Sequence, residues 1–373
     1  MSLWGTRKKR RHMENGGEGY VYEAAPATTG TAMLARITLF LLFFTTLFYI
    51  VLVPALFYYV YAYSSFWGAI LLAVIFSTPL WARQHWTWFG ETAGFVAWRH
   101  YFEFRIFKEA PIPITKSNPN VMLVALPHGL FPLILPLLGS VLKEAFPEFD
   151  GLTPSTAVAN VMFYTPILAP MLVWLGCIPA TKEAIVRSLK TNGCLILPDG
   201  IAGAFHSKRE EECVYFETRK GFIELALKQG STLVPMYCFG HSQLYDVYPS
   251  PKSWLARASR RWKFSLIFFW GEWWMPPLPR RVPLLVVTGK PMQLEKTPDP
   301  SKEFVAQVHA AFKERLLTLY YTHRDKVPGY ENKKLIILYV SCAAVPRPLH
   351  QKWQRRLSRR HFREKADTHE QAP

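Results

Sequence analysis

The sequence predicts an α/β layered domain with a mostly parallel sheet, preceded by an N-terminal transmembrane hairpin. Three observations carry this expectation. From residue 119 onward, short apolar runs of strand length alternate with longer runs of helical periodicity, the pattern of a parallel sheet with helices on its faces. Residues 37–82 carry no charged side chain at all. The apolar run Val121–Leu126 stops at Pro127-His128-Gly129. Proline ends a strand because it has no N–H for the ladder, and glycine allows a sharp turn and a close ligand approach.

In chain order, residues 1–32 are rich in Gly, Thr and charge, with a basic block Arg7-Lys8-Lys9-Arg10-Arg11 and no apolar periodicity. They read as a disordered basic tail. Residues 33–83 read as the membrane hairpin. The uncharged stretch is about 69 Å long as helix at 1.5 Å per residue, whereas a bilayer core of about 30 Å needs only about 20 residues. Two crossings, or a re-entrant hairpin, return the chain to its starting side, with Pro54 and Tyr63-Ser64-Ser65 as bends. Arg7–Arg11 before it and Arg83, Arg99 and Arg105 after it then share one face, cytosolic by the positive-inside rule. The apolar stretch is too long for a cleaved secretory signal.

Residues 84–341 form the soluble-looking domain. Its first part, 84–118, mixes Trp86, Trp88, Trp98, Tyr101, Phe102, Phe104 and Phe107 with basic residues and reads as an interfacial belt. Strands are expected at Val121–Leu126, Cys194–Leu197, Leu233–Tyr237, Leu284–Thr288 and Leu335–Val340. Helices are expected at Leu130–Glu144, Pro166–Leu175, Lys182–Thr191, Thr218–Gln229 and Ser301–Tyr321, the last with apolar residues at helical spacing from Phe304 to Leu319. Residues 342–373 form a basic C-terminal tail with Arg355-Arg356 and Arg359-Arg360, which reads as solvated or in touch with anionic lipid.

The net charge of +17 favours anionic partners: acidic lipid, nucleic acid or a phosphate-bearing substrate. No nucleic-acid motif is present, so nucleic acid is not an expected partner. The five cysteines show no paired spacing, and no His/Cys cluster has zinc-ligand spacing, so reduced thiols and no metal are expected.

The residues that suggest chemistry fall at strand ends. In open α/β sheets ligands bind beyond the carboxyl ends of the strands. His128 lies just beyond one predicted strand and Pro198-Asp199-Gly200 just beyond another, so the two share a site on this reading. An imidazole is the side chain best suited to moving a proton near neutral pH. Gly200 and Gly203 suit a loop whose N–H groups approach an anion. Arg219 and Lys220, at the start of a helix, suit phosphates of a substrate or a solvated face.

Together these pieces resemble the type-2 diacylglycerol acyltransferases. Pro127-His128-Gly129, the loop after Pro198, the block RKGFIELALKQGSTLVPMYCFG at Arg219–Gly240 and VTGKPM at Val287–Met292 occur in that family's order. His323 and Gly329-Tyr330 follow, and the N-terminal apolar hairpin also matches, over roughly residues 35–340. The resemblance implies a glycerolipid-acyltransferase-like fold and an enzyme of the endoplasmic reticulum membrane or lipid droplet surface, with both termini cytosolic. It implies acyl-CoA as a substrate rather than a cofactor, and a lipid alcohol, foremost diacylglycerol, as acceptor giving triacylglycerol. It carries the family's catalytic histidine onto His128, and the substrate side onto Pro127, Gly129, Gly200, Arg219, Lys220 and Gly221.

On this implication His128 acts as general base toward the acceptor hydroxyl, with Asp199, or else Glu224, fixing its tautomer. Backbone N–H groups near Gly129 or Gly200 serve the oxyanion, and lipid enters along the hairpin and Trp262–Trp274. A homo-oligomer and membrane-lipid contact stay open. The sequence departs from the family in several places. Leu126 stands where a polar residue is usual, and Tyr101-Phe102 is followed by Glu103 instead of Pro. Asp199-Gly200-Ile201-Ala202-Gly203 replaces GGxxE, and His241-Ser242 replaces the last two residues of FGEN. Two alternatives therefore stay open: a monoacylglycerol, fatty alcohol or sterol acceptor, or a lipid-binding pseudoenzyme that keeps the fold without the chemistry.

Overall fold

A computed structural model describes residues 19–338 except 82–83, 87, 150, 167, 205, 207–208, 249–252, 255–267 and 273–276. The side chains of 45–52, 201–202 and 268 also lie outside that set. The strands are β1 (Gly19–Glu23), β2 (Arg105–Lys108), β3 (Val121–Leu126), β4 (Ser155–Val158), β5 (Cys177–Pro179) and β6 (Cys194–Ile196), followed by β7 (Glu212–Tyr215), β8 (Thr232–Phe239), β9 (Asp246–Tyr248), β10 (Phe268–Trp270), β11 (Leu285–Thr288) and β12 (Leu335–Leu338). The helices are α1 (Thr29–Tyr63), α2 (Phe66–Ser77), α3 (Ala93–Tyr101), α4 (Ile134–Gly139) and α5 (Leu142–Ala145), followed by α6 (Leu168–Trp174), α7 (Lys182–Thr191), α8 (Gly200–Ala204), α9 (Gly221–Gln229) and α10 (Lys302–His323).

The main sheet has eight strands in the order β1-β2-β11-β8-β3-β6-β4-β5. Pairing is parallel except at β1/β2 and β11/β8. The α/β class with a mostly parallel sheet is therefore the observed one. β3 is buried along its whole length, and its alternation explains why. Val121, Leu123 and Ala125 enter one core with Leu39 of α1, Trp98 of α3 and Leu137 of α4. Met122, Val124 and Leu126 enter the other with Ile223 and Leu227 of α9 and Phe312 and Leu316 of α10. A strand covered on both faces reads as a continuous apolar run. β8 is equally buried yet carries Pro235. The antiparallel register with β11 ends at Met236, opposite Thr288, so no partner there requires the missing N–H.

The uncharged stretch folds as a helical hairpin. It turns at Ser64, which has positive φ, and Ser65, whose hydroxyl accepts the Gly68 N–H at 3.1 Å. Pro54 lies inside α1 and does not form the turn. A side chain on Gly68 would press on Val60, so glycine lets α2 close on α1. α1 is tied to the domain where Trp98 Nε1–H donates to Thr38 Oγ1 at 2.7 Å. Among the described residues no helix is long and apolar enough to cross a membrane. The return arm, twelve residues in α2, spans about 18 Å against a hydrocarbon core of about 30 Å.

Three expectations are corrected here. Gly19–Glu23 is a strand paired with β2, not part of a disordered tail, because Tyr22 is buried in the core. Of the expected interfacial belt, Trp86 and Trp88 are exposed, whereas Trp98, Tyr101, Phe102, Phe104 and Phe107 are core residues. The single helix expected over Leu130–Glu144 is two short ones, α4 and α5, broken at Ser140-Val141. The basic block Arg7–Arg11, Arg83 and the tail 342–373 lie outside the described residues.

Candidate active site

β3 and β6 run parallel with Val124 opposite Ile196, so both chains leave the sheet side by side and bring His128 and Asp199 together. The Leu126–Pro127 peptide is cis and Gly129 takes φ +65°, which reverses the chain directly after the strand. The backbone N–H of His128 donates to Asp199 Oδ2 at 2.8 Å. His128 Nδ1–H donates to the Gly129 carbonyl at 2.9 Å. A carbonyl can only accept, so this bond puts the proton on Nδ1 and leaves the Nε2 lone pair available to take another. The tautomer is thus fixed by Gly129 and not by the Asp199 carboxylate, which holds the main chain of His128 instead. Glu224, the other expected partner, pairs with Lys228 at 2.7 Å on the surface of α9.

Asp199 is completely buried. Burial pushes its carboxyl up to about 6; the neighbouring His128 and the backbone N–H groups of His128, Asp199 and Gly200 pull it partly back. α8 begins directly after it at Gly200, which has φ +50°. A Cβ on Gly203 would run into the Asp199 carboxylate. The two glycines therefore serve the turn and the close approach of the protein's own carboxylate, and this is the anion that the loop accommodates.

The third member of the cluster, His241, stands in the sequence as a departure from a motif and as a histidine near the site loops whose loss is expected to cost much less than that of His128. His241 follows β8, the other neighbour of β3. It is 1% exposed. Its Nδ1–H donates to the Pro127 carbonyl at 3.1 Å, and its Nε2 accepts the Ile134 N–H at 3.3 Å. Burial, with His128 adding, pushes its pKa down to about 4. The available signal was positional: a histidine just past a fully buried strand reaches the same sheet edge as His128.

Arg219 and Lys220 precede α9, which starts at Gly221. The Arg219 guanidinium lies 5.0 Å from the Tyr215 ring, and His206 stacks on that ring at 6.4 Å. α8 packs on β7, so the basic pair is connected to Asp199 through α8 and Tyr215. An apolar cavity of about 170 Å³ borders the histidine loop. It is lined by Phe131, Pro132 and Leu133, which follow that loop, and by Phe43, Trp174 and Leu195. Tyr101 donates to Glu272 at 3.2 Å, which ties α3 to the segment after β10. Of the expected lipid path Trp262–Trp274, most residues lie outside the described set; Trp270 is exposed.

A family model described as diacylglycerol acyltransferase matches residues 40–338. The chain is 27% identical over 300 residues to 2-acylglycerol O-acyltransferase 3 of Homo sapiens, covering 76% of this chain and 85% of that one. It is 26% identical over 272 residues to diacylglycerol O-acyltransferase 2 of Mus musculus, with coverages of 68% and 69%. To acyl-CoA wax alcohol acyltransferase 2 of Mus musculus it is 25% identical over 259 residues, with coverages of 65% and 77%. Among solved structures, the 1-acyl-sn-glycerophosphate acyltransferase PlsC of Thermotoga maritima is similar at 13% identity and a TM-score of 0.35, covering 77% of this chain and 96% of that one. The family match makes this chain an acyltransferase. The chain belongs to the diacylglycerol acyltransferase family.

Proposed function

We propose that this protein transfers a fatty acyl group from acyl-CoA to diacylglycerol, giving triacylglycerol, with His128 as general base. The observation that carries the reading is the His128 ring itself. Its Nδ1 proton is committed to Gly129, its Nε2 is left as a base, and Phe131, Pro132 and Leu133, a few residues further along the chain, line an apolar cavity. Nε2 takes the proton of the acceptor hydroxyl while that oxygen attacks the thioester carbonyl. The C–S bond then breaks, and the CoA thiolate leaves with the proton returned by the imidazolium. Such base catalysis is worth about 10²–10⁴-fold. The cavity suits a lipid chain, Arg219 and Lys220 suit the CoA phosphates, and an amide near Gly129 suits the oxyanion, because the Gly200 loop already serves the Asp199 carboxylate. The apolar hairpin suits insertion into the endoplasmic reticulum membrane from its cytosolic face, and the lipid droplet surface would offer the same chemistry.

The relatives favour more than one acceptor, since their names divide among 2-acylglycerol, diacylglycerol and wax alcohol at similar identity. The test is esterification by membranes with labelled acyl-CoA and all three acceptors side by side. Diacylglycerol is expected to be used best, and His128→Ala to lose at least about 100-fold with unchanged expression. A preference for another acceptor reassigns the substrate. Retention of most activity by His128→Ala ends the mechanism. No ester with any acceptor supports the pseudoenzyme reading.

A further inference from the structure

The acyl-transfer chemistry above leaves two fully buried polar groups beside the histidine loop unused: His241 and Glu212. His241 accepts the N–H of Ile134 and donates to the carbonyl of Pro127. These are the two ends of the segment that carries His128. A ring that accepts at one nitrogen and donates at the other is neutral. It also packs against the middle of the segment: a Cβ on Gly129 would lie 3.3 Å from its Cγ and Nδ1.

The turn bearing His241 is itself anchored on the far side. Ser242 donates to Glu212 Oε2 at 2.5 Å, and Tyr237 donates to Glu212 Oε1 at 2.9 Å. The Gly240 N–H donates to the Tyr330 hydroxyl at 2.9 Å. Glu212 lies on β7 and Tyr330 follows α10, so elements distant in sequence converge to fix one turn.

From this juxtaposition we infer that His241 is a positioning residue: a rigid, neutral imidazole that spans Pro127 to Ile134 and sets the placement of the general base His128. The inference rests on the reading of His128 given above. Displacement of a catalytic group by about 1 Å is enough to cost about 10²-fold, and the clamp acts on both ends of the loop at once. It touches no substrate atom in this role.

The test uses the full-length protein in detergent with three forms: wild type, His241→Ala and His241→Asn. Asparagine can place its amide N–H at the Nδ1 position for the Pro127 carbonyl, but its side chain is too short to put its oxygen at the Nε2 position that accepts the Ile134 N–H. His241→Ala is expected to lower kcat at least about 30-fold with KM for acyl-CoA within about twofold, and His241→Asn to recover about half of that loss on a logarithmic scale. Hydrogen exchange read by mass spectrometry gives a second measure that needs no turnover. Exchange over residues 128–135 should rise in both variants, more in the alanine form, while β11 stays as in wild type.

Retention of more than half the wild-type kcat, or a loss confined to KM, overturns the inference. So does exchange that rises equally in β11, which would make His241 a general fold stabiliser. If wild type forms no ester with any acceptor, the acyltransferase reading fails on its own. The exchange comparison then decides the clamp, and unchanged exchange at 128–135 ends it. If the alanine form does not fold, the asparagine form against wild type decides in the same way.

Discussion

At Asp199 burial, charge and backbone geometry meet within a few ångströms of the proposed base. Its carboxyl holds a proton more tightly in the folded state, at about 6 against an ordinary 3.8. As pH rises through 3.8 the unfolded chain gives up its proton first, so stability falls between about pH 4 and pH 6 and then levels off. The buried charge therefore costs up to about 3 kcal/mol at neutral pH. Asp199→Asn keeps an oxygen for the His128 amide and removes that charge. It is expected to raise the thermal midpoint above pH 6, to leave it nearly unchanged at pH 4, and to lower kcat by about 10–100-fold because the imidazolium loses its nearby anion. Midpoints and rates measured from pH 4 to 8 check this; an unchanged kcat removes the carboxylate from the mechanism. His241 has the opposite sign, since its pKa falls from 6.5 to about 4 and its contribution is lost on acidification from about 6.5 downward. The difference between variant and wild type isolates Asp199. In the sequence, His128 and Asp199 were both visible as polar residues just past apolar strand runs. Their connection was not, because a carboxylate bonded to a main-chain N–H leaves no pattern. His241 was read as a motif departure because nothing local marks a residue that acts across the sheet.

Among the elements, uninterrupted apolar runs and long helical spacings were legible and short runs of mixed composition were not. Val121–Leu126 is read with the boundaries it has as β3, and Lys182–Thr191 with those of α7. Their apolar runs or helical spacing are uninterrupted. Missed were β1, β2, β4, β5, β7, β9 and β10, each three to five residues long. Most of these short runs mix polar and apolar residues, which leaves too little pattern to distinguish them, whereas the equally short β6, β11 and β12 are nearly all Leu, Ile and Val. β1 shows what supplies the missing specification. Tyr22 is buried, and its ring centroid lies 6.0 Å from that of Phe104. Tyr20 is only half-buried and meets Phe107 edge-on at 5.1 Å. Tertiary packing, not local propensity, makes this strand. Tyr22→Ala should therefore destabilise by about 3 kcal/mol, and Tyr20→Ala by clearly less. Denaturant midpoints of the two variants measure it; equal, small effects would mean that the strand contributes little to the fold.

At the scale of the whole molecule, the proposed lipid substrates call for a membrane contact. The apolar composition of residues 37–82 made the hairpin visible, but not its asymmetry, which depends on where the chain turns. The turn at Ser64-Ser65 leaves a return arm of twelve residues, so the insertion proposed above is that of a hairpin entering and leaving by one face. That arm exposes Phe66 at 70%, Trp67 at 77%, Leu71 at 50% and Phe76 at 51%. Burying these side chains in lipid is worth on the order of 5 kcal/mol, a partition factor near 10³–10⁴. Attraction of a basic residue to anionic lipid adds about 1 kcal/mol each and is screened by salt. The apolar term is not screened and therefore persists at high salt. The expected outcome is that high salt and alkaline carbonate leave the protein with membranes, whereas detergent releases it. Exchanging Trp67 and Leu71 for Glu should shift much of the protein to the carbonate supernatant while the purified domain keeps its thermal midpoint, because both side chains already face outward. Complete release of wild type by carbonate, or retention of the double variant equal to wild type, would show that this arm is not what holds the protein to lipid. Release by salt alone would assign that role to the charge of +17.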